Sequence, residues 1–168
     1  ERNDKIFYIR GKQSYKSCEY SVEGDYSQAA FFLVANELGN EIECLGLNIS
    51  SKQGDKEIIN IINMFKDSND IIIDASQIPD LVPIITVLAA LKENHTTTII
   101  NAHRLRIKES DRLKAVTTEM NKLGACVRET NDGLIINGKA SLIGGTSVNS
   151  WNDHRIAMSL AIAATRCK

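Results

Sequence analysis

The stretch PDLVPIITVLAALK, residues 79–92, carries charge only at Asp80, near its beginning, and at Lys92, at its end. Pro79 suits the first position of a helix, where the backbone N–H has no partner inside the helix. A helix that is apolar around nearly its whole circumference lies in the interior of a protein. The stretch therefore predicts a buried helix, around which the rest of the chain must pack.

Further stretches of helical character lie on both sides of this one. The segments 27–38 (SQAAFFLVANEL) and 152–164 (NDHRIAMSLAIAA) are also largely apolar and predict two more buried helices. The segments 54–66 and 110–124 are instead amphipathic, because their apolar residues recur at the spacing of one helix face. These apolar residues are Ile58, Ile61, Ile62 and Phe65 in the first segment and Leu113, Val116, Met120 and Leu123 in the second.

Short strands are predicted between the helices. A hairpin is expected around residues 131–133, where Asn, Asp and Gly separate two runs suited to strands. The other predicted strands are 19–25, 41–49, 70–75, 96–102 and 146–150.

The order of these elements indicates an internal repeat. Asp55 follows Asp25 by 30 residues, and Asp111 follows Asp80 by 31, each pair marking a buried helix and the amphipathic helix after it. The unit reads strand, helix, strand, helix, hairpin, or βαβαββ. Repeats of this size must stack to bury their apolar faces. We expect an α/β fold with buried central helices and outer sheets, in one partial lobe whose units span about 19–69, 70–139 and a truncated 140–168.

Composition limits the classes of function. The chain of 168 residues has 20 basic and 21 acidic residues and a net charge of −1, which disfavours a general nucleic-acid or membrane-surface binder. It lacks an apolar run of transmembrane length. The four cysteines form no CxxC pair and are typical of reduced thiols in a cytoplasmic protein. The chain begins without Met, so we expect a piece of a longer protein.

Acidic residues open each predicted buried helix, namely Asp25, Asp80 and Asp153. Helix N-termini attract anions through unpaired N–H groups and the helix dipole. If the three helices run parallel, their N-termini share one rim and could form an anion site. Alternatively, these residues are plain helix caps, each worth about 1 kcal/mol.

The charged stretch RLRIKESDRL, residues 104–113, allows two interpretations as well. Arg106 and Lys108 are two residues apart on a run predicted to be extended, so we expect them to share a face, and Lys108 meets Arg112 if the helix begins at Lys108. Together with Glu109 they could bind a small anion and move a proton. The same pattern is also typical of a solvated helix start.

Three motifs together resemble signatures of the 5-enolpyruvylshikimate-3-phosphate synthase family: IPD (78–80), RIKESDRL (106–113) and NDHRIAMS (152–159). VEGDYSQAAFFLVA (22–35) and QGD (53–55) are similar to that family as well. The resemblance covers essentially the whole chain. It implies a fold of two lobes, each of three βαβαββ units, with the site between the lobes. This chain would be slightly less than one such enolpyruvyl transferase lobe.

The resemblance also implies an activity. The family enzyme transfers the enolpyruvyl group of phosphoenolpyruvate to the 5-hydroxyl of shikimate 3-phosphate and releases phosphate, without metal or organic cofactor. Its partners are therefore these two small molecules and the missing second lobe of the same chain. We expect the 168-residue chain to fold but to be inactive alone.

Site residues follow from the same resemblance. Asp80 matches the carboxylate that takes the proton of the attacking hydroxyl, and Glu109 matches the acid that protonates the methylene carbon. Lys108 matches a base that contacts substrate and shares in this proton transfer. Arg112 and Arg155 match the arginines that hold phosphoenolpyruvate, and Asp80 also contacts substrate.

Two alternatives stay open at this point. UDP-N-acetylglucosamine enolpyruvyl transferase shares the fold and uses phosphoenolpyruvate, although the KESDR and NDHR motifs favour the shikimate-pathway enzyme. The other alternative is a lobe that binds ligands or partners without catalysis.

Overall fold

The computed structural model describes residues 2, 3 and 6–168 and has a mixed α/β fold. Its helices are α1 (Tyr26–Glu37), α2 (Ile58–Asp67), α3 (Val82–Ala90), α4 (Arg112–Lys122) and α5 (His154–Ala164). Its strands are β1 (Arg2–Asn3), β2 (Ile6–Phe7), β3 (Asp70–Asp74), β4 (Thr96–Ile100), β5 (Cys126–Glu129) and β6 (Leu134–Asn137). Short 3-10 helices span Gly54–Glu57, Pro79–Leu81 and His103–Ile107.

The centre of the fold is α3. Every residue from Val82 to Ala90 is buried, and the helix packs against both α1 and α5. The inner faces of these neighbours are apolar as well, with Phe31 and Val34 on α1 and Ile156 on α5 almost fully buried. The prediction of apolar helices at the centre is confirmed.

The sheet lies outside the helices, in the order β3-β4-β6-β5. β3 and β4 are parallel and are joined through α3, whereas β6 is antiparallel to both β4 and β5. Ile71 and Ile73 of β3 are buried, whereas Ile72 between them is 67 % exposed, so one face of the sheet covers the helices and the other faces solvent. From β3 to β6 the chain follows the predicted order of strand, helix, strand, helix and hairpin.

The hairpin between β5 and β6 forms where the sequence predicts it. A Cβ atom on Gly133 would lie 1.8 Å from the carbonyl oxygen of Ile99, so only glycine fits beside β4 at this turn. The turn places β6 next to β4 and closes the sheet over α3 and α4.

The strands predicted at 19–25, 41–49 and 146–150 are wrong, since these segments are irregular in the structure. The first two touch through a backbone hydrogen bond of 2.7 Å from Gly24 N to Gly46 O. Strand propensity depends strongly on a neighbouring strand that completes the hydrogen bonds. Neither segment has such a ladder within the described residues, although both have suitable side chains.

Helix lengths in the described part of the chain fall short of what crossing a bilayer requires. The four cysteine side chains are free thiols. The division of the chain into repeat units stays a prediction.

Candidate active site

The starts of the central helices converge on one rim of the fold. At α1, Asp25 caps the helix by accepting a 2.8 Å hydrogen bond from Ser27 N, and the Ser27 hydroxyl donates to Asp55 in the neighbouring 3-10 helix. At the other starts, Asp80 precedes α3 and Asp153 caps α5. The helix N-termini therefore share one rim, as the sequence predicts. The rim carries several carboxylates, which are stabilised by cations beside them.

Asp80 lies between the cations of this rim. Its Oδ1 atom is 2.7 Å from Arg112 Nη1 and 3.4 Å from Lys108 Nζ, and its Oδ2 atom is 3.2 Å from Arg155 Nη2. Burial raises the pKa of Asp80, but the charges of Arg155, Lys108 and Arg112 outweigh it, so the pKa lies below its ordinary value. Asp80 is thus held ionised, with a side chain that is 30 % exposed.

Arg112, the first residue of α4, is the most enclosed of these cations, with a side chain only 1 % exposed. Its Nη1 contacts Asp80, its Nη2 lies 2.6 Å from Glu109 Oε2, and its Nε lies 2.7 Å from Asp153 Oδ2. Burial lowers the pKa of Arg112, but the hydrogen bond and charge of Asp153, with Glu109 and Asp80, raise it by more. The guanidinium therefore keeps its charge and holds Asp80 and Glu109 side by side.

Asp153 holds the Arg112 guanidinium in place through its buried carboxylate. Its side chain is fully buried, accepts from the backbone N of Arg155 at 2.9 Å, and accepts from the Ser110 hydroxyl at 3.0 Å. Burial raises the pKa of Asp153, but the hydrogen bonds from Arg112 and from Arg155 N lower it below its ordinary value. The sequence identified Asp153 as a helix cap and missed its ion pair with Arg112, since a contact across 41 residues leaves no local pattern.

Arg155 approaches Asp80 from the opposite side. Its side chain is 9 % exposed, and its Nη1 also lies 3.5 Å from the backbone carbonyl oxygen of Asp80. Arg112 and Arg155 thus contact different oxygens of the same carboxylate. Two guanidinium groups on either side of one carboxylate form a site that an incoming carboxylate or phosphate could enter.

Lys108 and Glu109 form the outer wall of the site. Their side chains are 29 % and 50 % exposed, and they lie in the loop between the 3-10 helix His103–Ile107 and α4. The helix does not begin at Lys108, the condition for Lys108 to meet Arg112 within one helix, because Asp111 caps α4 and accepts a 3.1 Å hydrogen bond from Lys114 N. Lys108 and Arg112 meet through Asp80 rather than as neighbours on one helix.

Arg106 does not face the site, contrary to the expectation that it shares a face with Lys108. It lies in a 3-10 helix rather than in an extended run, and its Nη1 is 2.7 Å from Glu129 Oε1 and 3.2 Å from Asp111 Oδ2. Its Nη2 donates to the carbonyl oxygen of Thr130 at 2.8 Å. Arg106 therefore ties the loop that carries Lys108 to the β5–β6 hairpin.

Asp55 adds an acidic group to the rim that the sequence identified only as a repeat marker. It is half-buried. Burial raises the pKa of Asp55 above its ordinary value, the Ser27 hydrogen bond lowers it, and the nearby charge of Asp80 raises it again. The rim thus contains one carboxyl group with a raised pKa and another, Asp80, with a lowered pKa.

The residues that match the family's site residues are brought together, namely Asp80, Lys108, Glu109, Arg112 and Arg155, whereas Arg106 of the charged stretch lies apart from them. Because the carboxylates already neutralise the cations, an anionic ligand must displace Asp80 or Glu109 to bind the guanidinium groups. Asp80 contacts both Arg112 and Arg155, whereas Glu109 contacts only Arg112, so an anion that binds both guanidinium groups replaces Asp80. The geometry suits a reaction in which anion binding and proton transfer take place together.

Known proteins resemble this chain along its length. The family model of EPSP synthase (3-phosphoshikimate 1-carboxyvinyltransferase) matches residues 1–168. Curated 3-phosphoshikimate 1-carboxyvinyltransferases are 56 % identical over 182 residues in Clostridium perfringens strain SM101 and 57 % over 177 residues in Clostridium acetobutylicum. These alignments cover 99 % and 98 % of this chain but 42 % and 41 % of the relatives, so the chain spans about two fifths of their length.

Solved structures agree with this likeness. A structure of EPSP synthase from Acinetobacter baumannii superposes on this fold with a TM-score of 0.74 and 27 % sequence identity. The match covers 88 % of this chain and 40 % of that chain.

Proposed function

This chain belongs to the EPSP synthase family, and on that premise we propose that the whole protein transfers the enolpyruvyl group of phosphoenolpyruvate to the 5-hydroxyl of shikimate 3-phosphate. The observation that carries the proposal is the carboxylate of Asp80, placed between Arg112 and Arg155 with Glu109 on the same Arg112 guanidinium. This arrangement offers cations for anionic substrates and two carboxyl groups for proton transfer.

Substrate binding uses the guanidinium groups. Phosphoenolpyruvate carries a carboxylate and a phosphate, and each suits a two-point contact with an arginine. When it binds Arg112 and Arg155, its negative charge replaces that of Asp80 beside them. Asp80 then loses the attraction that lowers its pKa, so it becomes a stronger base at the moment when a base is needed.

Proton transfer divides between the two carboxyl groups. Asp80 takes the proton of the 5-hydroxyl as the hydroxyl oxygen bonds to C2 of phosphoenolpyruvate. Glu109 gives a proton to the methylene carbon C3. The resulting tetrahedral intermediate loses phosphate when the bond between C2 and the phosphate oxygen breaks. The C3 methyl group then returns one proton to Glu109, and the proton held by Asp80 passes to the departing phosphate. Lys108, within 3.4 Å of Asp80, stabilises the developing charge and shares in the proton transfer.

The second lobe of the whole protein supplies the rest of the site. Lys108, Arg112 and Arg155 lie on one rim of the described chain and face the substrates from one side. The substrates must also be enclosed from the opposite side, so that water is excluded. We therefore propose that the 168-residue chain alone does not turn over and that its activity depends on the missing lobe. We also propose a cytoplasmic location, because its cysteines are free thiols.

Phosphate release by the whole protein tests the proposal. The assay supplies phosphoenolpyruvate with either shikimate 3-phosphate or UDP-N-acetylglucosamine and measures inorganic phosphate. We expect release only with shikimate 3-phosphate. Release with the UDP-sugar instead would identify the other enolpyruvyl transferase, and no release with either acceptor would favour a lobe that binds without catalysis.

A further inference from the structure

A second buried carboxylate, that of Glu119, lies on α4 two turns beyond Arg112. Its side chain is 1 % exposed. It accepts hydrogen bonds from Trp151 Nε1 at 2.9 Å, from the backbone N of Asn149 at 2.9 Å and from Lys122 Nζ at 2.8 Å. Two of these donors belong to the segment that leads into α5, which we call the strap (residues 149–153).

The strap has a conformation that its own sequence does not favour. Trp151 and Asn152 have positive φ angles of 55° and 53°. Asparagine tolerates this region, but a bulky residue such as tryptophan does so at a cost. Such a backbone persists only when its surroundings hold it in place. The hydrogen bonds that Glu119 accepts from the Trp151 indole and from Asn149 N supply that support.

One face of α4 holds both ends of the strap. Arg112 and Glu119 are seven residues apart and so lie on the same side of the helix. Arg112 contacts Asp153 at the end of the strap, whereas Glu119 contacts Asn149 at its beginning. Arg155 follows two residues after the strap, and its guanidinium reaches Asp80. The position of Arg155 therefore depends on how the strap is held.

We propose that Glu119 is a positioning residue that fixes Arg155 for phosphoenolpyruvate, acting through the Trp151 indole and the Asn149 amide. The inference rests on the proposed function, because it assigns Arg155 to that substrate. Glu119 lies two turns along α4 from Arg112, and its hydrogen bonds go to Lys122, Asn149 and Trp151, so it acts on the reaction through the residues it holds. Burial raises the pKa of Glu119, but its bonds to Lys122, Trp151 and Asn149 lower it below its ordinary value, which keeps the acceptor charged.

Steady-state kinetics of the whole protein test this role. Glu119→Gln keeps the size of the side chain but replaces one acceptor oxygen with a donor, and Trp151→Phe keeps a ring but removes the indole N–H. Each change is expected to raise the KM for phosphoenolpyruvate about tenfold, as for one lost charge-assisted hydrogen bond. The KM for shikimate 3-phosphate is expected to stay within about twofold, since Arg155 serves the other substrate.

The matched controls separate positioning from plain stability. Lys122→Met removes the exposed partner of Glu119 but leaves the bonds to the strap, so the KM for phosphoenolpyruvate should not change. The double variant Glu119→Gln/Trp151→Phe should be no worse than about the more affected single variant, because both act through one contact. Trp151→Phe still tests the role if Glu119→Gln fails to fold.

The outcomes are distinct. If both variants lower only the melting temperature and leave both KM values unchanged, Glu119 merely stabilises the fold and the inference is wrong. Equal rises in the two KM values would also overturn it, because they would indicate a general distortion. An unmodified protein without turnover would instead defeat the proposed function, and the role of Arg155 towards phosphoenolpyruvate with it.

Discussion

The Nε atom of Arg112 lies 2.7 Å from Oδ2 of Asp153, and the exposed fractions of the two side chains are 1 % and 0 %. This buried ion pair joins the first residue of α4 to the cap of α5. Removing one partner of a buried ion pair strongly destabilises the fold, since the other charge is then left buried and unpaired. The pair with Asp153 thus fixes the Arg112 guanidinium in place. The more exposed Asp80 and Glu109 can leave Arg112 when a substrate anion binds.

Asp153→Asn is expected to lower the free energy of unfolding by about 3 kcal/mol. Asparagine still caps α5, so the loss reports on the unpaired Arg112 rather than on the helix end. Urea denaturation at pH 7 measures it. The matched control is Asp25→Asn, an exposed cap at α1, which should change the free energy by less than about 0.5 kcal/mol. Equal effects at the two caps would show that the ion pair with Arg112 does not contribute more than an ordinary helix cap.

Asp55→Asn is expected to stabilise the fold at neutral pH. Burial, opposed by Ser27 and aided by Asp80, raises the pKa of Asp55 above its ordinary value of 3.8. The folded state therefore binds this proton more tightly, and the stability that this gives is complete below pH 3.8 and lost as the pH rises through the raised pKa. Asparagine does not ionise, so the variant does not lose this stability as the pH rises.

Denaturation at several pH values checks this sign. The advantage of Asp55→Asn in unfolding free energy should be greatest near neutral pH and should shrink toward zero as the pH approaches about 3. An advantage that grows as the pH falls would show that Asp55 is stabilised in its ionised form.

Arg106→Ala is expected to lower the free energy of unfolding by about 2 kcal/mol, because it leaves Glu129 and the hairpin carbonyl groups without their donor. Arg104→Ala, two residues earlier and exposed, is the control and should lie within about 0.5 kcal/mol of the unmodified protein. Thermal denaturation measures both. Similar stability of the two variants would mean that Arg106 does not brace the loop that carries Lys108.

Sequence periodicity predicted the helices well, because an apolar or amphipathic helix contains its own hydrogen bonds and needs only a surface to cover. Segment 79–92 illustrates this, since its composition alone predicted the buried centre of the fold. The strands at 19–25 and 41–49 failed for the opposite reason. A strand needs a neighbour, and alternation of side chains cannot say whether one is present.

The site was predictable where its residues belong to compact motifs, as for Lys108, Glu109 and Arg112. The supporting contacts were not. The hydrogen bond from the Trp151 indole to Glu119 joins residues 32 positions apart, and neither residue stands in a charged or glycine-rich pattern. Arg106 shows the converse case, since its place among charged neighbours predicted a binding role, whereas its 3-10 backbone turns the side chain toward the hairpin.

The rate of phosphate release by Asp80→Asn in the whole protein, with both substrates saturating, tests whether Asp80 is the base. Asp70→Asn, which removes an exposed carboxylate from β3, is the control and should keep the full rate. If Asp80 is the base, its variant loses about 1000-fold in kcat. The KM for phosphoenolpyruvate should not rise, because asparagine no longer competes for Arg112 and Arg155. A kcat within about tenfold of the unmodified protein would contradict the assignment of Asp80 as the base.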